Sequence, residues 1–282
     1  MQKSDGPDSP GDDWLQSNRA VWGERGAMDR AGEDHALAAL GAFRRGEDTI
    51  RDFVAAEVGD VTGKSLLHLQ CHIGVETLSW ARRGAHPVVG LDISEPAVDA
   101  ARELAAESGF TADRAAFVAA DLYDAAEAVP DASYDIVVAG PGALSRLPDI
   151  PRWAEIAAAL VAPGGFLHLA EIHPLADTLD DETGARLVRD SFGADAWADE
   201  SPDPYAGLDA PVVPADGAGW GHPVGELVSA LAAAGLRIDF VHEHDATVFQ
   251  RLTSSRGGDG LFRRPQDRPR IPLMYSVRAF RP

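Results

Sequence analysis

The sequence predicts an α/β fold in which helices cover both faces of a parallel β-sheet. From Thr62 onward, short apolar segments alternate with segments that have helical spacing. Glycine and proline separate many of them, as at Pro163-Gly164-Gly165, and Asp92 and Asp121 directly follow two successive apolar segments. Alternating strands and helices form right-handed crossover units, and open α/β sheets bind ligands at the carboxyl ends of their strands. The two aspartates are therefore expected at one edge of the sheet.

Each predicted element follows from a local pattern. The helices are expected to be amphipathic, as with Ala97, Ala101 and Leu104 on one face of the second, and to end at Gly/Pro signals such as Gly235. Pro163-Gly164-Gly165 is expected to end the third helix and precede the fifth strand. Strands are predicted at residues 66–70, 87–91, 116–119, 136–139, 166–172, 236–242 and 273–280, and helices at 75–83, 95–108, 150–161 and 224–234.

Three further stretches define the expected domain organisation. Residues 1–13 are rich in Gly, Pro, Ser and Asp, which predicts disorder, and residues 14–61 have a helical pattern broken by glycine, which predicts a helical N-terminal cap. Residues 62–282 are expected to form the ligand-binding domain. Within that domain, residues 176–221 lose the alternating rhythm, which is typical of a lid or substrate loop.

Composition excludes several classes of function. The chain has 45 acidic and 25 basic residues, a net charge of −20, which disfavours a nucleic-acid partner or an anionic membrane surface. Cys71 is the single cysteine, so an internal disulfide and a multi-cysteine metal site are excluded. No signal-peptide pattern or membrane-spanning stretch is present in the sequence, so we expect a cytoplasmic protein.

The segment SLLHLQCHIG, residues 65–74, raises the question of the ligand. It runs from an apolar strand into a turn that ends at Gly74, but it lacks the G-x-G-x-x-G pattern that receives a pyrophosphate. Asp92 comes 18 residues later, where a carboxylate can accept hydrogen bonds from both ribose hydroxyls of a nucleoside. An ordinary tight turn with a helix-capping aspartate is the alternative.

Asp121, in the segment FVAADLYD, ends the third predicted strand. Its carboxylate could accept a hydrogen bond from an adenine amino group, and the backbone N–H of Leu122 could meet a ring nitrogen. For Asp121 alone, capping of the following helix is the stronger interpretation. Three successive strand ends with suitable residues favour a nucleoside site.

The chain resembles the class I S-adenosylmethionine-dependent methyltransferases, in particular a family whose first motif reads LLHLQCHxG. The motif stands here at residues 66–74 and is followed by ETLSWARRGA and GLDIS. Further matching segments are YDIVV, LPDI, RWA, APGG and EIHP, and later HPVGELVSALAAAGLRIDFVHEH and IPLMYSVRAF. The resemblance covers roughly residues 14–282. It implies a Rossmann-like sheet of seven mostly parallel strands with an antiparallel last strand.

The resemblance also implies S-adenosylmethionine as the cofactor and S-adenosylhomocysteine as the product. That cofactor has no phosphate, which explains why the loop needs no second or third glycine. The residues expected to bind it are Trp22, Arg25, Gln70, His72, Gly74, Asp92, Ile93, Asp121, Leu122 and Gly140.

Several of these residues have a structural alternative. His72 could be an ordinary loop histidine, Trp22 could pack the cap on the core, and Cys71 is expected to be a small buried residue. Gly140 and Arg146 stand where the family usually has Ser and Trp, so the acceptor and the chemistry are open.

Methyl transfer from a sulfonium needs no metal or covalent nucleophile, but a hydroxyl acceptor would benefit from a general base. His173, which follows the fifth strand, and His222 are the candidate catalytic residues, with a structural role as the alternative for each. His242, Glu243 and His244 with Asp245 resemble a metal cluster, but no third ligand is evident, so no metal is expected.

The sequence therefore predicts a methyltransferase acting on a small organic acceptor, without a nucleic-acid or membrane partner and with homodimerisation possible in principle. Three alternatives stay open. They are an enzyme of the same fold and cofactor with another reaction, an NAD-dependent oxidoreductase, and a non-catalytic binding module.

Overall fold

The computed structural model describes residues 19–20, 23, 36–180, 183–192, 197–198, 218–252 and 254–282. In chain order the elements are α1 (Ala36–Arg44), α2 (Asp52–Val58), β1 (Leu66–Leu69), α3 (Val75–Arg82), β2 (Val88–Asp92), α4 (Glu95–Glu107), β3 (Ala115–Ala119), α5 (Ala125–Ala128), β4 (Tyr134–Ala139), α6 (Ile150–Leu160), β5 (Val161–Ile172), α7 (Pro174–Asp177), β6 (Trp197–Ala198), β7 (Ala218–Gly219), α8 (Val224–Ala233), β8 (Arg237–His244), β9 (Ala246–Thr247), β10 (Ser255–Arg256), β11 (Phe262–Arg263) and β12 (Met274–Phe280). Single 3₁₀ turns lie at Leu122–Asp124 and Leu144–Arg146.

A seven-stranded sheet in the order β3-β2-β1-β4-β5-β12-β8 organises the molecule. The first five strands pair in parallel, and β12 is antiparallel to both of its neighbours. The seven predicted strands and the antiparallel last strand are confirmed. Because β12 runs against both β5 and β8, β8 is parallel to β5, and the carboxyl ends of β1 to β5 and β8 meet at one edge. We call this the carboxyl edge.

Both faces of the sheet are packed by helices, because its strands carry apolar side chains on both sides. In β1, Leu67 and Leu69 belong to one buried cluster, which contains Trp153 of α6. Leu66 belongs to the cluster on the other face, which contains Trp80 of α3. All five side chains are at most 2% exposed. Burial on both faces explains why the strands read as continuous apolar runs.

The Pro163-Gly164-Gly165 segment has a different role from the one predicted. Helix α6 ends at Leu160, and the three residues belong to β5, where they form an irregularity in the pairing with β4. Gly164 donates its backbone N–H to Arg281 O at 2.8 Å, and a Cβ on Gly165 would lie 2.6 Å from Asp135 O. The segment therefore pairs with the chain end instead of stopping the helix.

Glu57 attaches α2 to the sheet. Its carboxylate accepts hydrogen bonds from His168 Nε2 at 2.8 Å, His242 Nδ1 at 2.8 Å and Ser276 Oγ at 2.9 Å. These three residues lie on β5, β8 and β12, so one carboxylate joins α2 to three neighbouring strands. The predicted N-terminal cap is described in part, as α1 and α2.

Between β8 and β12 lies a small sheet in the order β10-β11-β9, which the sequence did not predict. The predicted lid, residues 176–221, is described only in short segments, including a single bridge between Leu179 and Leu187. Within the part of the chain that the structure describes, no helix is long and apolar enough to cross a membrane.

Candidate active site

The loop after β1 has an unusual backbone. Gln70, His72 and Gly74 have φ angles of 56°, 51° and 74°, in the left-handed region. Non-glycine residues in this region cost roughly 1–2 kcal/mol each, and such strain concentrates at functional sites. Cys71 holds the loop in place by donating its N–H to Leu91 O at 2.9 Å. The loop is thus a strained turn at the carboxyl edge, fixed to β2.

Gly74 is required by the packing behind the loop. A Cβ at this position would lie 2.6 Å from Cε1 of Phe117 and 2.7 Å from Cβ of Ala101. Phe117 is on β3 and Ala101 is on α4, so the close approach at Gly74 is to the core. The glycine lets α3 begin directly against these two side chains.

Asp92 ends β2 and joins the two strand ends. The side chain is 8% exposed, its Oδ2 accepts from the His72 N–H at 2.8 Å, and its Oδ1 accepts from the Ser94 N–H at 2.9 Å. Burial raises the pKa of the Asp92 carboxyl, although these backbone donors favour the ionised form. A carboxylate has about four acceptor positions, so capacity for ligand hydroxyls remains. Ile93, another predicted cofactor-binding residue, is the next residue in the chain.

Asp121 lies beside Asp92 because β2 and β3 are paired and Ala120 donates its N–H to Asp92 O at 3.0 Å. Oδ1 of Asp121 accepts from the Tyr123 N–H at 2.8 Å, which is the expected capping of the following turn. In the described part of the chain, Oδ2 makes no hydrogen bond. Capping and ligand binding are therefore compatible, and Leu122 follows as a buried residue, 4% exposed.

Gln70 and Gly140 connect the β1 loop to the end of β4. Gln70 Nε2 donates to Ala143 O at 2.8 Å, and Oε1 is buried with no hydrogen-bond partner among the described residues. A Cβ on Gly140 would lie 3.9 Å from both Glu76 Oε2 and His68 Nε2. The structure thus brings Gln70, His72, Gly140 and the two aspartates to the same edge of the sheet.

Glu171, near the end of β5, was not predicted as a site residue. It is 4% exposed and accepts hydrogen bonds from the backbone N–H groups of Gly142 at 2.7 Å, Leu144 at 2.9 Å and Ile172 at 2.6 Å. Burial raises the pKa of Glu171 to about 7, against these three donors. Its carboxylate fixes the loop after β4. An acidic residue at the end of an apolar segment was the signal in the sequence.

His68, Glu76 and Arg51 were also missed. Burial lowers the pKa of His68 to about 4, so the ring is neutral at pH 7, and its Nδ1 is 2.9 Å from Thr77 Oγ1. Burial raises the pKa of Glu76, and the positive charge of Arg51 opposes this effect. Arg51 at the start of α2 is therefore an electrostatic neighbour of the loop region.

The two candidate bases have structural contacts. His173 Nδ1 accepts from the Leu175 N–H at 3.1 Å, and its Nε2 donates to Glu243 Oε1 at 3.1 Å. His222 Nε2 donates to Leu147 O at 2.7 Å. These bonds agree with the structural alternative for each, and catalytic roles stay predictions. Trp22 and Arg25 lie outside the described residues.

Of the residues that resembled a metal cluster, His242 and His244 both approach Glu57 Oε1, at 2.8 and 3.8 Å. His242 bonds to Glu57, and His244 Nε2 is 3.0 Å from Ser276 Oγ. Asp245 pairs with Arg270. Within the described ranges, no group of three or more His, Cys, Asp or Glu side chains is arranged to hold a metal ion.

Comparison with known proteins shows what the central part of the chain is similar to. Residues 67–167 match the family model of a methyltransferase domain. The ubiquinone biosynthesis O-methyltransferase of Aeromonas salmonicida is 32% identical over 122 residues, which are 43% of this chain and 49% of that protein. The ribosomal protein L11 methyltransferase of Burkholderia cenocepacia is 32% identical over 110 residues, 39% of this chain and 32% of that protein. The chain spans about half or less of the length of these relatives.

Solved structures agree on the fold. An S-adenosylmethionine-dependent methyltransferase from Mesorhizobium loti has a TM-score of 0.54 and 21% identity, covering 80% of this chain and 94% of that one. The structure of a putative S-adenosylmethionine-dependent methyltransferase from Listeria monocytogenes has a TM-score of 0.53 and 19% identity. The alignment covers 81% of this chain and 97% of that one. Residues 67–167 are therefore similar to a methyltransferase domain, and the chain has the class I methyltransferase fold.

Proposed function

We propose that the protein is an S-adenosylmethionine-dependent methyltransferase whose acceptor is a small organic molecule. The observation that carries the proposal is the contact between Asp92 and the left-handed loop at residues 70–74, at the carboxyl edge of a methyltransferase domain. The contact joins a buried carboxylate, suited to ribose hydroxyls, to a strained loop in the position expected for the methionine part of the cofactor.

The residues present fit this cofactor. Asp92 offers acceptor positions to ribose hydroxyls, and Asp121 with Leu122 offers an acceptor and a backbone donor to adenine. The buried Oε1 of Gln70 has no partner among the described residues, which fits an amino-group donor on the methionine end. His72 and Ile93 complete the proposed binding set. When bound, S-adenosylmethionine supplies a methyl group on a sulfonium that is already activated.

The protein's contribution to the reaction is mainly positioning. Well-oriented partners correspond to about 7–11 kcal/mol of barrier, and this requires a fixed site. Glu171 fixes the loop at residues 142–144 through two of its hydrogen bonds, and Gln70 adds a third bond to the same loop. Where the acceptor is a hydroxyl, His173 and His222 are the candidate bases. Each would first have to release a hydrogen bond that its ring now makes.

The small size of the acceptor is inferred from the charge of the chain. The net charge of −20 disfavours an RNA substrate, because nucleic-acid binding depends on basic residues. Among the relatives, however, one protein is named for ubiquinone biosynthesis, one for ribosomal RNA and one for ribosomal protein L11. The test must therefore offer all three acceptor classes.

Incubation with S-adenosylmethionine tritiated on its methyl group provides that test. The wild-type protein and Asp92→Ala are each incubated with a filtered small-molecule extract, with purified ribosomal RNA and with ribosomal proteins. We expect label in the small-molecule fraction with the wild type and little with Asp92→Ala. Label in RNA or protein would contradict the small acceptor. Bound cofactor without label in any fraction would favour a non-methylation reaction or a binding module.

A further inference from the structure

A cavity of about 500 Å³ opens at the carboxyl edge, in the half of the sheet away from Asp92. It lies between the start of α2, the end of β8 and the small sheet that contains β11. None of the residues predicted as site residues lines it. Its size is within the range of pockets that hold small organic ligands.

Three arginines line this cavity, and two are paired. Arg263 donates from Nη1 and Nη2 to the two carboxylate oxygens of Asp259, at 2.9 and 2.7 Å, and Arg270 pairs with Asp245. Arg51 differs, because among the described residues no carboxylate lies within 4.0 Å of it. Its Nη1 approaches Gly260, where a Cβ would lie 3.4 Å away. The cavity thus presents one guanidinium that is not committed to an ion pair.

The wall around Arg51 is mixed, with charged residues beside an apolar part that is formed by Phe53, Leu261, Ile271 and Pro272. Phe53 packs against His244 with ring centroids 4.6 Å apart, and Leu261, Ile271 and Pro272 are partly buried. An apolar part of the wall beside one uncommitted guanidinium matches a ligand with an apolar ring and an anionic group. Guanidinium binds carboxylates in bidentate geometry, which gives both orientation and affinity.

One hydrogen bond and one electrostatic interaction connect the cavity to the proposed cofactor site. Glu243, in its wall, accepts the hydrogen bond from His173 at the end of β5. Arg51 interacts electrostatically with Glu76, whose Oε2 would be 3.9 Å from a Cβ on Gly140 at the end of β4. The cavity wall therefore contacts the end of β5, the strand next to β4, at whose end Gly140 lies.

We propose that this cavity binds the methyl acceptor, and that the acceptor is a carboxylic acid with an apolar ring whose carboxylate is bound by Arg51. The identification of the ligand as the methyl acceptor rests on the proposed function. Carboxylate binding by Arg51 can be tested independently of that function. The cavity also contains Asp52 and three other carboxylates. If these carboxylates dominated, the cavity would prefer a cationic ligand, which is the competing result.

Benzoate, benzamide and benzylamine form a matched set of probes, because they share the ring and differ in charge. Their binding to the full chain is measured by ligand-detected NMR titration, for the wild type, Arg51→Gln, Arg51→Lys and Arg44→Gln. Arg44 is a paired surface arginine that does not line the cavity, so Arg44→Gln is the control. Thermal unfolding of each variant checks that it is folded.

We expect the wild type to bind benzoate at least about tenfold more tightly than benzamide, as expected for one charge-assisted contact. Arg51→Gln should remove that preference, Arg51→Lys should keep part of it, and Arg44→Gln should leave it within about twofold. Equal binding of benzoate and benzamide, an unchanged preference in Arg51→Gln, or a preference for benzylamine would each overturn the proposal.

S-adenosylhomocysteine is titrated into the same samples to separate the two proposals. If it binds and benzoate is not preferred, the proposed function stands and the acceptor class is wrong. If it does not bind and benzoate still depends on Arg51, the cavity is a carboxylate site but the proposed function fails.

Discussion

Asp92, the last residue of β2, accepts a hydrogen bond from the backbone N–H of His72 at 2.8 Å, and so fixes the left-handed loop that follows β1. The same carboxylate accepts the N–H of Ser94, two residues further along its own chain segment. One buried side chain thus sets the relative position of two strand ends. Any ligand that lies across these ends depends on it.

Removal of this carboxylate should loosen the loop. In Asp92→Ala the N–H groups of His72 and Ser94 lose their acceptors, and an unsatisfied buried donor costs about 1–3 kcal/mol. We expect a lower free energy of unfolding in urea and faster hydrogen exchange at the His72 amide. Asp92→Asn keeps one acceptor oxygen and should lie between the wild type and Asp92→Ala. Unchanged exchange at His72 in Asp92→Ala would contradict this role.

Gly74→Ala should destabilise the protein far more than Gly109→Ala. The two glycines have nearly equal φ angles, 74° and 76°, so both substitutions carry the same left-handed cost of about 1–2 kcal/mol. Only at Gly74 would the added Cβ meet Phe117 and Ala101 within 3 Å, whereas nothing lies within 4 Å at Gly109. Overpacking adds about 1–3 kcal/mol, measurable by denaturant unfolding. Equal losses would show that packing behind the loop is unimportant.

Glu171→Ala should impair both the site and the fold. The loop after β4 would lose the acceptor for the N–H groups of Gly142 and Leu144, at about 1–3 kcal/mol per unsatisfied group. We expect a loss of several kcal/mol in the free energy of unfolding and a fall in labelled product. Glu171→Gln should retain part of both, and Glu127→Ala, at an exposed position, is the matched control. A variant with wild-type stability and product would refute the role of Glu171.

Glu57 should stabilise the protein in a pH-dependent way. Burial opposes its ionisation, but hydrogen bonds from His168, His242 and Ser276 outweigh burial and lower the pKa of Glu57 from 4.5 to about 2. A lowered pKa means that the folded state favours the carboxylate. The stabilisation is therefore complete above about pH 4.5 and is lost as the pH falls toward about 2.

The comparison of the wild type with Glu57→Gln measures this effect. The difference in free energy of unfolding should shrink by about 1–3 kcal/mol across that pH range. Glu107→Gln removes a surface pair with Arg44 in which both side chains are about half exposed, and should change little at any pH. A constant difference between the wild type and Glu57→Gln would show that the pKa of Glu57 is not lowered by folding.

The sequence was sufficient for the sheet because its strands are buried on both faces and therefore read as apolar runs. It was also sufficient for the position of Asp92 and Asp121 at the carboxyl edge, since residues that end parallel strands must meet at one edge. It was insufficient for Glu57, whose partners His168, His242 and Ser276 are far away in the chain, and for Arg51, whose neighbours Glu76 and Gly260 are also distant in sequence. The small sheet was missed because two-residue strands have no readable alternation.

Calorimetric titration of S-adenosylhomocysteine into the wild type and Asp92→Ala, with NADH as the comparison ligand, tests the cofactor site most directly. We expect micromolar binding of S-adenosylhomocysteine to the wild type, binding weakened by at least about tenfold in Asp92→Ala, and no binding of NADH. Binding of NADH in its place, or equal binding of S-adenosylhomocysteine to both proteins, would contradict the proposed site.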